Sequence, residues 1–127
     1  MPDEFKSDYM QITTAGTTLA TAVEGGFTIV NMLQIGNVDG TNSATVDLII
    51  NKNGKGDVTF LKNLTVAAGE SQVIFSDSTG KLTLEDHDVG PYSSSSSSYL
   101  PTADTIKATA SNNDDLVAII SYMERTQ

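Results

Sequence analysis

The chemistry-bearing residues of this chain are few, and they cluster in polar turns. The one histidine, His87, sits in Glu85-Asp86-His87-Asp88. A histidine among carboxylates could act as a general base or join a metal site. On an extended chain, however, adjacent side chains point apart rather than converging. Serines are abundant, yet none stands in a nucleophile-elbow pattern. The chain has no cysteine, which removes disulfides, thiolate metal sites and thiol nucleophiles together. Three oxygen-rich stretches invite a calcium reading: residues 51–57, Asn112-Asn113-Asp114-Asp115, and Glu85-Asp86 with Asp88. The first lacks the acidic opening and bidentate closing glutamate that an EF-hand-type loop needs. Asn, Asp and Gly populate ordinary turns for backbone reasons, and that is the reading taken for all three. Gly25-Gly26 and Gly54-Lys55-Gly56 lack the spacing of a phosphate or dinucleotide loop. The expectation is a protein that is not an enzyme, with no cofactor, no metal and no small-molecule substrate.

Charge narrows the partners. Seven basic and sixteen acidic residues give a formal net charge of −9 over 127 residues. Such a surface repels phosphate backbones, so nucleic acid is not an expected partner. No apolar run approaches the ~20 residues of a helical membrane span, and the polar start, Met1 to Asp8, predicts no cleaved export signal. With no tryptophan and eight other aromatics, stacked rings for sugar binding are sparse.

The elements that would carry these turns are strands. Short β-branched or alternating segments recur between turn residues: Tyr9–Thr13, Thr18–Val23, Phe27–Asn37, Thr45–Asn51, Val58–Leu61, Leu64–Val66, Ser71–Phe75, Lys81–Leu84, Thr105–Ala110 and Leu116–Met123. Period-two counting places Phe27, Ile29, Leu33 and Ile35 on one face of the longest strand, and Thr28, Val30, Met32 and Gln34 on the other. In the next strand it groups Val46, Leu48 and Ile50. Apolar residues on the minor faces, Val30, Met32 and Ile49, suit either a second core layer or an interface. The pattern predicts an all-β fold: a single antiparallel β-sandwich, or jelly-roll-like domain, of about eight or nine short strands. Residues 1–8 read as a polar N-terminal arm or a frayed end, and 9–127 as the sandwich. Residues 86–104, with six consecutive serines between Tyr92 and Tyr99, read as a Ser-rich surface loop. It is either a tolerated insertion or a contact loop, with Tyr92, Ser95, Tyr99 and Leu100 as the candidate contacts.

Three phrases carry a resemblance: Asn37-Val38-Asp39-Gly40-Thr41 before Ser43–Leu48, Leu64-Thr65-Val66-Ala67-Ala68-Gly69-Glu70, and the ending Asp104–Ser111 followed by Leu116–Glu124. Together they resemble small virion structural proteins of tailed bacteriophages, particularly of marine and cyanobacterial phages, across residues 9 to 125. In proteins of that kind a Leu-Glu phrase runs almost directly into the Asp-Thr-Ile-Lys-like strand, whereas here residues 86–103 intervene. The resemblance implies a β-sandwich displayed in many copies as a head decoration or a neck or tail accessory. It implies other virion proteins (capsid, neck or tail) as partners, a homo-oligomer such as a trimer, and a location on the virion after synthesis in the host cytoplasm. The alternative is a receptor- or glycan-binding appendage module.

Overall fold

A computed structural model describes residues 4–52, 56–76, 80–86 and 103–126. Nine strands run through them: β1 (Glu4–Ile12), β2 (Thr17–Thr21), β3 (Gly26–Asn37), β4 (Ala44–Asn51), β5 (Asp57–Val66), β6 (Ser71–Phe75), β7 (Leu82–Glu85), β8 (Thr105–Ala110) and β9 (Leu116–Thr126). The pairing is nested. β4 pairs with β5, β3 with β6 and β7, β2 with β8, and β1 with β9, all antiparallel. The chain is thus one long ribbon turned back on itself between Asn51 and Asp57. Rolling the ribbon puts successive pairs into alternate sheets, and the pairings β3–β9 and β4–β8 close them. One sheet has the order β1-β9-β3-β6, with β7 also on β3; the other has β2-β8-β4-β5. This is a β-sandwich with jelly-roll connectivity.

Alternation drives the stacking. β8 buries Ile106, Ala108 and Ala110 and turns Thr105, Lys107 and Thr109 outward. β4 buries Val46 and Leu48 and packs Ile50 against the same core. From the first sheet, Ile12, Val30, Leu33, Ile35, Leu84, Leu116 and Ile120 meet Leu19, Val46, Leu48, Val66 and Ile106 of the second. Removing that apolar area from water is the main stabilising term. Phe60 of β5 stacks on Phe75 of β6, with centroids 6.3 Å apart, and links an edge of each sheet.

The structure corrects the expected faces of β3. Val30 is opposite Tyr122 and Met32 opposite Ser121, so β3 advances two residues while β9 advances one. Asn31 is the extra residue of a β-bulge. A one-residue insertion exchanges the faces, so Thr28 and Val30 join Leu33 and Ile35 in the core. Phe27 and Ile29 turn outward with Met32 and Gln34. β5 departs in the same way. Its expected pieces, Val58–Leu61 and Leu64–Val66, are one strand whose register against β4 shifts twice. Near one shift Asn63 has a φ of 56°, and its N–H donates to Asp47 Oδ1 at 2.8 Å. Residues 4–8, expected as part of a polar arm, belong to β1 and pair with β9.

Candidate interaction surface

Polar residues of the oxygen-rich turns hold neighbouring backbone and side-chain groups. Asn113 Oδ1 accepts the Thr14 N–H at 2.9 Å, tying the turn before β9 to the one after β1. Asp57 Oδ1 accepts from Asn51 at 3.2 Å, and Asp57 Oδ2 lies 3.3 Å from the Lys107 ammonium. Asp86 Oδ2 accepts the Gly25 N–H at 2.9 Å. Asp104, fully buried, accepts the Glu85 N–H at 3.1 Å and pairs with Lys52 at 3.5 Å. Among the described residues no group of His, Asp and Glu is arranged to hold a metal ion. His87 and the candidate contacts Tyr92, Ser95, Tyr99 and Leu100 lie outside the described residues. The flanks of that segment are joined: Asp86 bridges Ala103, and the Asp104 N–H donates to the Glu85 carbonyl at 2.9 Å.

The loop after β3 is organised by two side chains. Asn37 Oδ1 accepts the Asp39 N–H at 2.8 Å, and Asp39 Oδ1 in turn accepts from the Thr41 N–H at 2.8 Å and the Asn42 N–H at 3.2 Å. Those two backbone donors hold the Asp39 carboxyl below the ordinary carboxylate range.

The outward faces of the two sheets differ in chemistry. Following the register across the first sheet gives Tyr9, Ile119, Gln34 and Val73 in one row. A second row runs Phe5, Met123, Ile29 and Thr83. Between them lie Ser7, Ser121 and Met32. Phe5 and Tyr9 are 76% and 75% exposed, and Val73 and Ile119 about half. The corresponding row on the second sheet reads Thr18, Lys107, Ile49 and Thr59. One outer face is therefore apolar with a few small polar residues, and the other is polar. Two shallow depressions cross the apolar face, one lined by Ser7, Asp8, Tyr9 and Ile119, the other by Phe5, Lys6, Ser7, Asn31, Ser121 and Tyr122. No element among the described residues covers this face, and an exposed apolar face of this kind is a candidate interaction surface.

On the opposite, inward side of β1 and β9, Lys6 pairs with Glu124 at 2.7 Å and with Glu4 at 3.7 Å. The hydrogen bond and charge of Glu124 raise the Lys6 pKa. Sequence reading overlooked Phe5 and Ile119 as surface residues, and it took Met32 as ambiguous. The available signal was the spacing of Phe5, Ser7 and Tyr9, a strand alternation inside a stretch whose charges suggest an arm.

No protein-family model matches this chain, and no curated protein matches it significantly.

Proposed function

We propose that this protein is a non-enzymatic structural component of a tailed-phage virion, displayed in many copies as a head decoration or as a neck or tail accessory. The outer face of the first sheet is the surface it applies to other virion proteins. The observation that carries this reading is the apolar row Tyr9, Ile119 and Val73 on a sheet face that no element among the described residues covers. The three sequence phrases that resemble phage virion proteins support it, as does a rigid sandwich on which modest contacts gain strength through repetition. The acidic surface keeps the protein soluble until a complementary lattice is met.

The test is co-sedimentation of the purified protein with phage particles that lack it. Saturable binding at a fixed copy number supports the reading, and Ile119→Lys should reduce it at least tenfold without unfolding the domain. Binding to host cells with none to particles would favour the receptor-binding alternative.

A further inference from the structure

We infer that the outer edge of β1, with which no strand among the described residues pairs, is a homotypic contact, pairing antiparallel with β1 of a second copy about a two-fold axis at Ser7. The inference extends the multi-copy reading but rests on the edge alone.

A sheet edge offers unpaired N–H and C=O groups, and proteins blunt such edges by shortening or bulging them. Among the described residues, three of the four sheet edges are blunted. β2 has five residues and a register shift, and β5 shifts twice. The far edge of the first sheet is divided between β6, which also shifts, and the four-residue β7. β1 is different. Its nine residues pair with β9 from Glu4 to Ile12 without one irregularity. It also carries Phe5 and Tyr9, the most exposed large apolar side chains among the described residues.

The backbone shows which residues face outward along this edge. In an antiparallel ladder alternate residues bond one neighbour and the rest point away. The Tyr9 N–H donates to Asp8 Oδ1 at 2.8 Å, and the Gln11 carbonyl accepts from Thr17 Oγ1 at 3.3 Å. Both groups belong to odd-numbered residues and neither partner is on β9. Phe5, Ser7, Tyr9 and Gln11 therefore present their main-chain groups to the free edge.

The sequence of this edge is complementary to itself in one register. With the axis at Ser7, Phe5 lies opposite Tyr9 and Lys6 opposite Asp8, each twice. Aromatic pairs and opposite charges are the favourable cross-strand combinations. Moving the axis one residue either way sets Lys6 against Lys6 or Asp8 against Asp8, which is repulsive. The Tyr9 N–H would pass from its own Asp8 to the Phe5 carbonyl of the second copy, freeing Asp8 for Lys6. In the single chain that Asp8 contact covers the edge amide. The pairing is isologous and closes at two copies. It joins two sheets into one and makes their apolar faces continuous, so the closed unit expected is a dimer rather than a trimer.

The chain lacks cysteine, so a single introduced thiol reports the register directly. Light scattering at micromolar concentration should give twice the chain mass. Ser7→Cys should form a disulfide-linked dimer under mild oxidation, its two Cα atoms being about 5.5 Å apart in a hydrogen-bonded pair. Gln11→Cys, also exposed on the same edge, should not. Asp8→Lys should be a folded monomer, with an unchanged far-ultraviolet spectrum, and adding Lys6→Asp to the same chain should restore the dimer. A wild-type monomer or trimer, equal cross-linking at Gln11, or a dimeric Asp8→Lys protein would each overturn the inference. Ile119→Lys, which tests particle binding, should leave the mass at two chains, so the two readings fail separately.

Discussion

The Asn37 side chain donates to the Val66 carbonyl at 3.0 Å, joining the end of β3 in one sheet to the end of β5 in the other. The same carboxamide donates to the Asn42 carbonyl at 2.9 Å and accepts the Asp39 N–H. Asn37 is 4% exposed, so water cannot readily replace these partners. Leaving buried main-chain groups unpaired costs more than the hydrogen bonds contribute net. Asn37→Ala should lower stability by about 2–3 kcal/mol. The check is urea denaturation, in which the midpoint falls while the slope stays constant.

Gly26 admits no side chain. A Cβ there would lie 2.0 Å from the Arg125 carbonyl oxygen, where β3 meets the end of β9. Gly26→Ala must therefore push the two central strands apart, at a cost of at least about 2 kcal/mol. Gly40, whose added Cβ would meet nothing within 4 Å, is the control. Gly40→Ala should change the melting temperature negligibly.

The Asp86–Ala103 bridge closes the segment between them independently of its length. Closure entropy varies only as the logarithm of loop length. Excising residues 93–98 should thus change stability by no more than about 0.5 kcal/mol. Thermal unfolding measures this, and the shortened protein then separates the two readings of the serine run. Lost partner binding in a fully stable variant would identify a contact loop; retained binding would identify an insertion.

Acid should loosen the loop after β3. The Asp39 carboxyl is held below its ordinary value of 3.8, so its contribution is complete above that value and is lost as pH falls through the lower folded-state pKa. The Thr41 and Asn42 amide resonances should titrate together with a midpoint below 3.8. In Asp39→Ala that titration disappears, and the variant is less stable than the parent at neutral pH by a margin that shrinks as pH falls below 3.8. A midpoint at or above the ordinary value would contradict the hydrogen-bond assignment.

Strand content was legible in the sequence wherever alternation runs unbroken. β8 is the clearest case, with Ile106, Ala108 and Ala110 inside and Thr105, Lys107 and Thr109 outside. β3 was legible as a strand but not as a pair of faces. Both of its sides are apolar, so Ile29 and Val30 compete on equal terms until the bulge at Asn31 decides between them. No residue type announces such a bulge, because it is set by how β3 and β9 must twist around the core. β5 was divided for the same reason. The apolar face was the least legible feature. Tyr9, Ile119, Gln34 and Val73 come from four strands, and only the strand order brings them into one row.

The nested ribbon also fixes how the molecule would respond to a pull. Glu4 is opposite Glu124, so the start of β1 and the end of β9 leave the same corner of the sandwich. Tension applied through those two ends acts across the strands rather than along them. The β1–β9 ladder would then open like a zipper, each rung bearing the load alone and each worth only about 1 kcal/mol net. A copy tethered by its ends would be mechanically soft. One gripped across its broad apolar face would share the load among β1, β9 and β3 at once, and would resist.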